Sequence, residues 1–124
     1  MANPNIVNVT VINGNSSQVS LANTSANQLV SNAASSNKVY KINSIVVANT
    51  NGTAAANITI NVYSAASLGG TAYPIASTIS VPANSTLIVT DKTTTFYLLE
   101  NQSIGATAGT ANYLTVVTSW EEIT

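Results

Sequence analysis

The sequence predicts an all-β chain folded as an antiparallel sandwich or jelly roll. Three observations carry this reading. Apolar residues recur at every second position in short runs, the signature of half-buried strands. Turn signals such as Asn13-Gly14, Asn51-Gly52, Gly69-Gly70 and Pro82-Ala83-Asn84-Ser85 separate these runs, and the short strands recur at roughly 8 to 12-residue intervals. No segment carries a 3.6-residue apolar stripe with helix caps.

Taken in order, residues 5–12 (NIVNVTVI) set Val7, Val9 and Val11 against Asn8, Thr10 and Ile12, and Asn13-Gly14 then predicts a hairpin turn. Val19 and Leu21 mark the returning strand, so an amino-terminal strand pair is expected. Residues 23–37 are small and polar apart from Leu29 and Val30 and read as a linker or arm. The expected organisation is therefore an amino-terminal arm over 1–37, holding a β-hairpin and linker, and a sandwich domain over 38–124.

From Lys38 the signal strengthens. KVYKINSIVVAN carries apolar groups on both faces in its second half, which predicts a central strand. NITINVYSA follows the turn at Asn51-Gly52, with Ile58, Ile60 and Val62 on one face. In AYPIASTISV, Ile79 and Val81 share a face, and Pro74 demands a strand start or an edge because it cannot donate to a ladder. TLIVT, FYLLE, NQSIGATA and YLTVVTSWEEI complete the set of eight or nine short strands.

Composition limits the chemistry. Of 124 residues only three are Lys or Arg and four Asp or Glu, whereas Asn, Thr and Ser number 17, 17 and 15. Average domains are about 25% charged, so this surface must be built from neutral groups. Such a surface cannot release counterions from nucleic acid, and at net charge −1 copies repel one another little, so association is favoured. The absence of Cys and His removes disulfides, thiolate metal sites and the side chain suited to proton transfer near neutrality. No cofactor or metal is expected. The opening residues lack a basic, apolar leader and no 18-residue apolar run occurs, so a cytoplasmically made protein without a membrane segment is expected.

Asp91, Glu100, Glu121 and Glu122 are the candidate acids and bases, and nothing in their spacing selects a catalytic pair. Glu121 and Glu122, being adjacent in a strand, point to opposite faces. The seven Asn-x-Ser/Thr matches are expected from composition alone. Trp120, Tyr40, Tyr63, Tyr73 and Tyr113 are candidates for a sugar-stacking surface, with Tyr63, Tyr73 or Trp120 as its binding residues, although single aromatics on strands more often pack in a core or interface. The residues expected to form an interface are Ile6, Val7, Val9, Val11, Val19, Leu21, Leu29 and Val30, all in the arm.

The stretch KVYKINSIVVANTNGTAAANITINVYS, with IASTISVPANSTLIVT, FYLLENQSIGATAG and TVVTSWEEI after it, resembles small structural virion proteins of tailed bacteriophages, especially cyanophages. The matching motifs are Ser44 to Asn49, Gly52 to Ala55, Ile79 to Ser85, Leu99 to Ile104 and Trp120 to Glu122, and the resemblance covers about residues 38 to 123. It implies an immunoglobulin-like or jelly-roll sandwich without catalysis. The expected function is a capsid decoration or cement protein that sits on the outer virion surface, a homo-oligomer with a trimer favoured. Its expected partner is the major capsid protein or another virion protein. A tail, neck or fibre-base subunit and a carbohydrate-binding module are the alternatives.

Overall fold

The computed structural model describes residues 3–124. Nine strands form: β1 (Ile12–Ser20), β2 (Asn27–Asn32), β3 (Val39–Asn49), β4 (Ala56–Ala65), β5 (Gly69–Val81), β6 (Thr86–Thr90), β7 (Phe96–Leu98), β8 (Gln102–Ala108) and β9 (Leu114–Ile123). One sheet runs β1-β9-β3-β6, with β7 also pairing β3, and the other runs β2-β8-β4-β5. Every pairing is antiparallel. Consecutive strands thus alternate between the sheets from β1 to β4, and the two orders interleave as in a jelly roll. That topology decides between the two sandwich types expected.

The strands facing inward are those whose alternation was clearest. Ile58 and Ile60 of β4, Ile104 and Ala106 of β8, and Leu114 and Val116 of β9 meet in one core with Ile42, Ile45 and Val47 of β3. As expected, β3 is central, lying between β9 on one side and β6 with β7 on the other. Its register shifts between Ile42 and Ser44, so Asn43 is an extra residue. The bulge changes which parity faces inward: Tyr40 and Ile42 are buried before it, Ile45, Val47 and Asn49 after it. After the bulge Ile45 and Val47 face the core while Val46 lies on the outer face, so the second half of the segment is apolar on both sides. Pro74 lies on the edge strand β5, where its missing donor costs least.

The first 37 residues differ from the expectation. No hairpin forms at Asn13-Gly14, since β1 runs straight through both residues in an unbroken ladder from Ile12 opposite Ile123 to Ser20 opposite Thr115. Nine cross-strand pairs outweigh a two-residue turn preference. Residues 5–11 are not a strand: the Asn5 side chain accepts from the Val7 amide at 2.9 Å and the Asn5 carbonyl from the Asn8 amide at 3.2 Å. The presumed linker contains β2, which pairs β8 in the second sheet. Leu21, Leu29 and Val30 are buried in the shared core, so no boundary at residue 37 separates an arm from a sandwich.

Two buried asparagines join the sheets. Asn32, at the end of β2, donates to the carbonyls of Lys38 at 2.9 Å and Leu98 at 3.2 Å. Asn49, at the end of β3, donates to those of Ala54 at 3.0 Å and Val81 at 2.9 Å. Each satisfies carbonyls that leave the ladders where the chain crosses from one sheet to the other.

Candidate interaction surface

The residues expected at an interface divide into two groups. Leu21, Leu29 and Val30 are core residues, and Val19 packs against the core from β1, so these four leave the candidate surface. Ile6, Val7 and Val11 are exposed, Val7 by 92%, and Val9 is half-buried. This remnant is anchored at its end nearest β1, where Val11 and Thr124 exchange backbone hydrogen bonds at 3.4 and 2.9 Å. Its apolar groups lie outside the sandwich.

A second exposed apolar feature was not legible in the sequence. On the outer face of the β1-β9-β3-β6 sheet, Ile88, Val46 and Val117 are cross-strand neighbours in one row. Ile88 is 60% and Val117 40% exposed. Period-2 alternation places such residues on a face but cannot say that three strands will bring them into line.

Further along the same face a depression of about 600 Å³ is lined by Lys41, Asn43, Asp91, Lys92, Thr95 and Glu121 among others. It holds four of the seven charged residues. Their carboxylates are engaged locally. Asp91 accepts from the Thr93 hydroxyl at 2.6 Å and amide at 2.9 Å, and these bonds hold its carboxyl below the usual range. Glu121 accepts from the Asn43 side chain at 3.2 Å. The bonds from Thr93 favour the ionised form of Asp91, whereas the general acid of a two-carboxylate hydrolysis needs its carboxyl raised. Among the described residues, no group of three metal-ligating side chains converges.

The other carboxylates are structural. Glu122 accepts from Asn15 at 2.6 Å and from the Trp120 indole at 3.3 Å, and pairs with Lys38 at 3.3 Å, tying β1, β9 and the start of β3 together. Glu100 accepts from the Asn37 amide. The aromatic candidates do not converge on one platform, since Tyr40, Tyr113 and Trp120 pack in or against the core. Trp120 stacks on Tyr40 with ring centroids 6.3 Å apart, in the sheet opposite Tyr63 and Tyr73. Tyr73 pairs with Val62 and Tyr63 with Ala72, so the two tyrosines project from opposite faces. No stacking platform results from these three residues.

The fold and surface define a jelly-roll module with exposed apolar groups on a neutral skin. No protein-family model matches the chain, and no curated protein matches it. A solved structure of Bacillus endospore appendages, described as a novel family of disulfide-linked pili, is similar with a TM-score of 0.55 and 18% identity. The match covers 92% of this chain and 87% of that one, and it bears on the fold.

Proposed function

We propose that this protein is a non-enzymatic structural subunit of a virion, a decoration protein that docks on the outer capsid surface and stabilises the shell. The observation that carries the reading is the apolar row Ile88, Val46 and Val117, exposed at Ile88 and Val117, on the outer sheet face beside the charged depression. Apolar groups aligned on a flat surface favour burial against another protein. The resemblance of residues 38 to 123 to small phage virion proteins supports a shell as that partner.

The likeness to endospore appendages favours a second reading, a subunit of a filamentous appendage. That protein's pili are described as disulfide-linked. This chain has no Cys, so its own polymer would be held without disulfides.

The purified chain mixed with undecorated shells, followed by sedimentation and electron microscopy, tests the first reading. The native chain should bind at regular surface positions, and Ile88→Lys, at an exposed site, should bind at least about tenfold more weakly, because burying an unpaired charge is costly. Equal binding by both would overturn it. Filaments formed by the protein alone would favour the appendage instead.

A further inference from the structure

The edge strands are unequally protected against pairing with another chain, and β7, bonded to β3, has three residues. β2 has six residues and a register shift between Gln28 and Val30, and its Leu29 carbonyl already accepts from the Ser17 hydroxyl at 3.0 Å. β5 carries Pro74 and several register shifts, with Thr78 at φ 52°. β6 has five residues and runs into Asp91 and Lys92. Short length, bulges, proline and charge are the usual means of blunting an edge.

β1 has none of them. Its nine residues carry no charge and no proline, and their register against β9 is unbroken. The backbone bonds that extend this ladder lie at Val11 opposite Thr124 and at Leu21 opposite Leu114. By antiparallel alternation the odd-numbered residues bond to β9, so Ile12, Gly14, Ser16, Gln18 and Ser20 turn their N–H and C=O groups outward. The exposed apolar segment Ile6 to Val11 continues directly from this edge.

We propose that β1 pairs antiparallel with β1 of a second copy about a two-fold axis at Ser16, joining the two β1-β9-β3-β6 sheets into one. In this register Ser16 faces Ser16 of the partner subunit, Gly14 faces Gln18 of the partner subunit and Ile12 faces Ser20 of the partner subunit. All five outward residues of each strand find partners, giving about ten new hydrogen bonds. No like charges meet, because β1 has no charges. The same register sets Val11 opposite Leu21 of the partner subunit, at the end of the paired ladder. The contact is isologous and closed, so it makes a dimer rather than the trimer expected from sequence.

The cysteine-free background permits a direct test. Ser16→Cys would place two thiols on directly opposed residues about 5.5 Å apart at Cα, within disulfide reach. Under mild oxidation this variant should crosslink into dimers at least about tenfold faster than Ser77→Cys, placed on the exposed part of β5. Sedimentation equilibrium of the native chain should show a dimer, and Ser16→Lys, which sets like charges face to face, should raise the dissociation constant at least about tenfold with an unchanged far-ultraviolet spectrum. Equal crosslinking of the two cysteine variants, or a native chain that stays monomeric at millimolar concentration, would overturn the proposal. Shell binding reads the functional proposal separately: a monomer that decorates shells sinks the dimer alone, and a dimer that ignores shells sinks the decoration reading alone.

Discussion

Asn32 and Leu98 face each other across the two sheets, the fully buried amide of Asn32 donating to the Leu98 carbonyl at 3.2 Å. The same amide nitrogen serves the Lys38 carbonyl at 2.9 Å, and its oxygen accepts from the Ser36 hydroxyl at 2.6 Å. One side chain thus closes the crossing from β2 to β3. Asn32→Ala should destabilise the fold by about 2–4 kcal/mol, combining two orphaned carbonyls with a small cavity. The urea midpoint measures this loss, with an unchanged slope marking an intact denatured state.

Thr118 offers the opposite case. It lies in β9 between Ile45 and Ser17, fully buried, and its hydroxyl has no hydrogen-bond partner among the described residues. Thr118→Val keeps the β-branched shape and replaces the hydroxyl with a methyl group. Stability should rise by about 1 kcal/mol, read as a higher thermal midpoint.

Gly70, the second residue of β5, has φ +72°, and a Cβ there would collide with the Ser64 hydroxyl oxygen. That hydroxyl accepts from the Thr71 amide at 2.8 Å. Gly70→Ala forces both a left-handed backbone for alanine and displacement of Ser64, a cost of about 1–2 kcal/mol. Gly14 makes a useful control: it lies in extended β1 and a Cβ there meets nothing within 4 Å. Gly14→Ala should leave stability within about 0.5 kcal/mol of the native chain or raise it.

Burial, and then the negative charge of Glu122, raise the Tyr40 hydroxyl above its ordinary value of 10.0. The folded state therefore holds this proton more tightly than the unfolded chain. Its contribution is fully present below the unfolded value and is lost as pH rises through the folded one. The thermal midpoint of the native chain should fall as pH climbs above about 10, and Tyr40→Phe should fall less steeply over the same range. Equal alkaline slopes would remove Tyr40 from the account. Asp91 acts at the other end of the scale: its lowered value makes its contribution one that is lost as pH falls below the ordinary carboxylate range.

The sequence by itself determined that this chain would be built from strands and clothed in neutral groups. Alternation in NITINVYSA and YLTVVTSWEEI is a local property, visible because one face of each strand is buried and the other is not. Its scarcity of ionisable groups limited the candidate site to apolar surface before any fold was known, and Ile6, Val7 and Val11 do remain exposed.

Only the tertiary structure decided what residues 12–32 become. INGNSSQVS has almost no apolar alternation, so its strand state comes from the ladder with β9, almost a hundred residues away in the chain. Leu29 and Val30 are consecutive yet both buried, which a regular strand forbids and the irregularity between Gln28 and Val30 allows. Strand order, the row Ile88, Val46 and Val117, and the bare edge of β1 are likewise products of pairing between distant segments. Local periodicity records which face of a residue is buried; which strand lies beside it depends on the free energy of the whole assembled sandwich.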